Sequence, residues 1–150
     1  MVLSIVSHKD PFLRSRSEPV EVFNEDFRLL VRDMIETLYA AGGVGLAAIQ
    51  IGVPLQVFVV DVHAGTRNIP SLYVFVNPTI TKRQGEIECI EGCLSIPGER
   101  FHTRRPASTT IRAQDEYGTH FELHATGMLS VAINHEFDHL RGWLVSDFSN

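Results

Sequence analysis

The stretch His135-Glu136-Phe137-Asp138-His139, entered from the apolar run Met128-Leu129-Ser130-Val131-Ala132-Ile133 and leaving into Leu140, restricts this chain more than any other segment. Its apolar content predicts a helix set into a core, and residues four apart on a helix share a face. His135 and His139 can then offer two imidazoles to one metal ion, with the carboxylate of Glu136 beside them, which is the outline of a hydrolytic metal site. Histidines four apart arise readily by chance in a chain holding seven of them. A Glu directly after the first one, on an apolar helix, is rarer and points to chemistry.

Two ligands do not hold a catalytic ion. Only eleven residues follow His139, with Asp147 their one acidic residue, so the third ligand is expected upstream. The best candidate is Cys93 in Glu91-Gly92-Cys93-Leu94-Ser95, where Gly92 lets the backbone turn tightly and approach an ion or a ligand closely. A second arrangement uses Cys89 as well, giving a closed Cys2His2 structural zinc site without chemistry. Against the closed site, 41 residues separate Cys93 from His135, where finger-type sites use about 12–15. Cys89 also lies in a strand-like run, Ile87-Glu88-Cys89-Ile90-Glu91, where it is expected as a small buried apolar residue. Four protein ligands would leave Glu136 no proton to move.

With 150 residues, 44% of them apolar, and no linker or repeat, the chain is expected to form one domain spanning residues 1–150 with its own core. Its 13 basic and 18 acidic residues give a net charge of −5 and no basic stripe, which argues against direct nucleic-acid binding. The first ten residues lack the basic start and apolar centre of a secretory signal, and no apolar run reaches membrane-spanning length. A cytoplasmic location is expected, in which the two cysteines serve as a ligand and a core residue rather than a disulfide.

Along the chain, Asp10-Pro11 opens a short segment interrupted by Pro19. A helix over about residues 25–41 follows Asn24, with Phe27, Leu30, Val31, Met34, Ile35 and Leu38 at helical spacing, acidic residues at its start and Gly42-Gly43 at its end. The small residues of Gly43-Val44-Gly45-Leu46-Ala47-Ala48-Ile49-Gln50 allow close backbone approach, without the Lys or the spacing of a phosphate loop. Strands are predicted at Gln56–Asp61 and Leu72–Val76, the latter ended by Asn77-Pro78. A further extended piece runs from Ile80 to Ile90 around Gly85, a turn falls at Pro97-Gly98, and Thr109–Gln114 with Thr119–Leu123 flank a turn at Glu116-Tyr117-Gly118. Gly142 stops the last helix. His63, His102, His120 and His124 fall at strand edges or in turns as solvated residues, with His124 held in reserve as a ligand. The order helix, strands, helix predicts an α+β fold, with mixed or antiparallel strands packed around the metal-bearing helix. On that helix Met128, Val131 and Ala132 lie on or beside the His135 face; such a stripe is ordinarily core, and its nearness to the ion makes it equally a candidate substrate pocket.

Taken together and in this order, the Gly43–Gln50 segment, Glu91-Gly92-Cys93-Leu94-Ser95 and His135-Glu136-Phe137-Asp138-His139 resemble the three motifs of peptide deformylases. The likeness extends to Asp10-Pro11 with Leu13-Arg14, to Gln50-Ile51-Gly52-Val53-Pro54, to Asn77-Pro78 and to Leu94-Ser95-Ile96-Pro97-Gly98. The resemblance implies the peptide deformylase fold and removal of the formyl group from N-formylmethionyl peptides, by water on Fe2+ held by Cys93, His135 and His139, with Zn2+, Ni2+ or Co2+ able to substitute. It implies that Gln50 and the Leu94 N–H stabilise the oxyanion and that Glu136 shuttles the proton. Val44, Gly45, Gly92, Met128, Val131 and Ala132 would bind substrate, and transient ribosome contact is a further implied partnership. Ile49 stands where many members have Pro, and Asn134 where Gln is usual. The segment Leu144–Asn150 resembles short forms, including bacteriophage members, that lack a C-terminal helix.

Overall fold

The computed structural model describes residues 1–63 and 71–149. Helix α1 spans Glu25–Ala41; the Asn24 side chain accepts from the Phe27 N–H at its start, and Gly42, in the left-handed conformation, ends it. Strands β1 (Gly45–Ala47), β2 (Val57–Asp61), β3 (Leu72–Gln84), β4 (Ile87–Cys93), β5 (Ile96–Arg105), β6 (Ser108–Gln114) and β7 (His120–Thr126) follow, and α2 spans Gly127–Leu140. Short 3-10 turns occupy Pro11–Arg14, Ala48–Ile51 and Val145–Asp147. The strands form a five-stranded sheet in the order β1-β2-β3-β6-β7 and a separate β4–β5 hairpin. Among the described residues every ladder is antiparallel, with one isolated parallel bridge between Glu18 and Leu55. The fold is therefore α+β.

Strand periodicity explains why β2 is apolar throughout. Val57 and Val59 face one way, into a core with Phe27, Val31, Met34 and Leu38 of α1. Phe58 and Val60 face the other way, into a core with Ala132, Ile133 and Leu140 of α2. The central sheet is thus covered on both faces, and α2, the helix that carries His135 and His139, is held between the sheet and the β4–β5 hairpin.

Two expected boundaries move. Asn77-Pro78 does not end its strand, because β3 runs on to Gln84 through a register shift between Val76 and Thr79. Asn77 sits at positive φ, its side chain bonds both the N–H and C=O of Val20, and the bulge absorbs the N–H that Pro78 lacks. Pro97-Gly98 is likewise not the hairpin turn. Cys93 pairs with Ile96, so the turn is Leu94-Ser95; Glu91 pairs with Phe101, so residues 97–100 bulge opposite Gly92. The helix expected over 25–41 and the turn before β7 lie where the sequence placed them.

Candidate metal centre

The three ligand candidates arrive on two kinds of local structure, a helix and a strand end. His135 and His139 lie one turn apart on α2, with their ring centroids 5.2 Å apart. Cys93 ends β4, where the tight Leu94-Ser95 turn directs its thiol at the helix. The Cys93, His135 and His139 donor atoms all fall within 4.8 Å of one another, and all three residues are buried. Donors around a tetrahedral ion at roughly 2.0–2.3 Å stand roughly 3.3–3.8 Å apart, and Cys93 Sγ lies 3.6 Å from His139 Nε2.

The charges suit a cation. His135 Nδ1 donates to Glu91 Oε1 at 2.8 Å, which leaves the Nε2 lone pair to bind an ion. Burial works against a proton on His135, yet Glu136, Cys93 and Glu91 outweigh it and raise its pKa well above the ordinary value, the same field that would hold a metal. Burial, helped by His135 and Arg105, holds His139 well below its ordinary value and keeps it neutral, as a ligand must be.

Glu136 is buried beside His135, with Oε2 3.9 Å from His135 Nε2. Its Oε1 has no hydrogen-bond partner among the described residues. Burial foremost, opposed by His135, pushes its carboxyl up to about 7, the range a proton carrier needs at neutral pH. Gln50 is buried behind the thiol. Its Oε1 accepts the Ala47 N–H at 2.9 Å, so its Nε2 must face the site, where it reaches Ser95 Oγ at 3.1 Å and lies 3.8 Å from Cys93 Sγ. A cleft of about 500 Å³ opens above these groups, lined by Val44, Gly45, Gly92, Cys93, Leu94, Met128, Val131, Ala132, His135 and Glu136 among others. Val131 and Ala132 are buried in its wall, while Met128 and Val44 are exposed.

Cys89 is not part of this group of donors, which favours the open arrangement over the closed one. It is half-buried rather than a core residue, and its Sγ lies 3.0 Å from Thr103 Oγ1, because the inner side of the hairpin here packs a polar network. His124 bonds Thr110 on the surface, and His63, His102 and His120 are exposed. The residues that the sequence did not single out are Glu91, Arg105 and Asp138. Arg105 donates from Nε to Glu91 Oε2 at 2.7 Å and from Nη1 to Asp138 Oδ2 at 2.7 Å, so a buried ion pair backs the carboxylate that orients His135. Burial opposes the Glu91 charge, but His135 and Arg105 bring its pKa down to about 2. Glu91 was detectable, being two residues from Cys93 on the same strand face; Arg105, far off in sequence, carried no such signal.

A buried Cys/His/His triad with an adjacent carboxylate, on an antiparallel α+β frame, defines a metal-dependent hydrolase. The comparisons are specific. The polypeptide deformylase family matches residues 2–150. The peptide deformylase of Thermodesulfovibrio yellowstonii is 41% identical over 146 residues, covering 97% of this chain and 88% of the relative. The crystal structure of a peptide deformylase from Legionella pneumophila superposes with a TM-score of 0.94 at 39% identity, over 100% of this chain and 87% of that one. That from Thermotoga maritima gives 0.93 at 34% identity, over 100% and 99%. The chain belongs to the polypeptide deformylase family, enzymes that remove an N-formyl group. Its members are metalloenzymes, and the Cys/His/His group is the metal-site group of this chain. No helix among the described residues is long and apolar enough to cross a membrane.

Proposed function

We propose that this cleft hydrolyses the formyl amide of N-formylmethionyl peptides as they leave the ribosome, with Cys93, His135 and His139 holding one ion, Fe2+ in the native state, and Zn2+, Ni2+ or Co2+ able to replace it. The observation that carries the reading is the convergence of three buried donors with a buried carboxylate whose Oε1 has no partner among the described residues. When bound, the ion lowers the pKa of water and polarises a carbonyl oxygen. Thiolate and imidazole suit iron and zinc alike.

The chain's own groups do the rest. Glu136 accepts the proton of the attacking water and returns it to the leaving amine, a role that fits a carboxyl brought up to about 7 by burial. Gln50 Nε2 and the Leu94 N–H, on two separate segments beside Cys93, donate to the oxygen that gains charge. Val44, Gly45 and Gly92 line the peptide's path, and Met128, Val131 and Ala132 receive the methionine side chain. The chain is expected to work as one domain, in the cytoplasm, with transient ribosome contact. The test compares formyl-Met, acetyl-Met and free-amine peptides on anaerobically purified protein: deformylation alone is expected, and equal hydrolysis of acetyl-Met would replace this reading with a general amidase.

A further inference from the structure

Residues 6–8 join the two segments that carry Gln50 and Leu94. The Val6 N–H donates to Gln50 O at 2.7 Å, and the His8 N–H donates to Ser95 O at 3.0 Å. The His8 ring adds a second bond to that same carbonyl, Nδ1 to Ser95 O at 3.0 Å; since a carbonyl only accepts, Nδ1 carries the proton. Ser95 Oγ in turn accepts from Gln50 Nε2 at 3.1 Å, and both Gln50 and Ser95 are 1% exposed. The result is a closed loop of contacts: the arm touches the 3-10 turn through Val6 and the β4–β5 turn through His8, and those turns touch each other through Gln50 and Ser95.

From this geometry we infer that His8 is a positioning residue for the deformylation step, bracing the Leu94-Ser95 turn against Gln50 so that the two oxyanion donors keep their spacing. The inference rests on the oxyanion roles proposed for Gln50 and Leu94. His8 touches neither the cleft nor the ligand atoms; it acts through Ser95, and misplacement of a donor by about an ångström is enough to cost rate.

The test uses His8→Asn and His8→Gln beside His8→Ala, in metal-loaded enzyme with metal content measured. An Asn amide stands where Nδ1 stands, one bond beyond Cγ, and can restore the donor; a Gln amide lies one methylene further out and cannot. His8→Ala and His8→Gln should lower kcat about tenfold with KM nearly unchanged, well short of the hundredfold or more that loss of an oxyanion donor itself costs. His8→Asn should recover most of it. In a Gln50→Ala background His8→Ala should cost little more, because with one donor gone there is no spacing between two donors left to keep. Independently of turnover, the Gln50 side-chain amide in metal-free protein should lose exchange protection in His8→Gln and regain it in His8→Asn. Full activity in His8→Gln, failure of Asn to exceed Gln, or losses that multiply with Gln50→Ala would each overturn the brace. Normal turnover in Gln50→Ala would instead remove the oxyanion reading, and the brace with it.

Discussion

Glu91 and Gly45 show how much of the centre depends on residues that neither bind the ion nor carry the proton. Glu91 is a buried carboxylate held by Arg105 while it accepts from His135 Nδ1. Glu91→Gln keeps the shape but removes the charge that orients the ligand and pairs Arg105. Metal affinity should fall roughly 10–100-fold, as for other partners of ligand histidines, and the melting temperature should drop as well; unchanged affinity by metal titration would dismiss the role. At Gly45 a Cβ would stand 2.6 Å from Glu136 Oε2 and 2.9 Å from its Cγ. Only a residue without a side chain lets that carboxylate lie against the strand. Gly45→Ala should therefore bind metal normally but lose about a hundredfold in kcat, the scale of a displaced catalytic group, and a kcat near that of the parent would show that Glu136 has room to spare. The sequence marked Glu136 and the two histidines because helix spacing and an uncommon His-Glu pair are local signals, and Cys93 by the search for a third ligand upstream. It did not mark Arg105 or Asp138 as partners, since that contact joins β5 to α2 across 33 positions.

Helix α1 was legible because cap, periodicity and terminal Gly agree locally: Asn24 caps it and Gly42 ends it. Strand β5 was not, because Glu99–Arg105 carries polar residues on a two-stranded hairpin, and only its pairing with β4 makes it a strand. The pairing of β3 with β6 around that hairpin was equally non-local. On β4, Cys89 and Cys93 share a face, yet only Cys93 reaches the helix. Cys93→Ala should abolish metal binding, and Cys89→Ala should leave metal content at one ion per chain; equal loss from both, with the fold intact by circular dichroism, would restore the closed four-ligand site. On α2, Ala132 lies in the cleft wall and is also part of the core. Ala132→Val adds two methyl groups there, with overpacking of about 1–3 kcal/mol. It should raise KM for formyl-Met peptides about tenfold and leave formyl-Ala peptides nearly unaffected. Equal losses on both substrates would move the side-chain pocket elsewhere.

The molecule as assembled is a sheet covered on both faces, with α2 pressed between the sheet and the hairpin so that the ligand candidates from β4 and α2 meet buried at the floor of the cleft. That burial explains why the site works electrostatically. It keeps His139 neutral, raises Glu136 to about 7 and leaves the Glu91–Arg105 pair intact beneath them. The chemistry proposed for this enclosure stands on Glu136 moving a proton rather than filling space. Glu136→Gln preserves volume and removes that capacity, so the decisive measurement is its kcat on a formyl-Met peptide with metal content and melting temperature determined on the same sample. A full complement of metal, an unchanged fold and turnover lowered by roughly a hundredfold or more is the expected result; turnover within a few-fold of the parent enzyme, with metal bound, would contradict it.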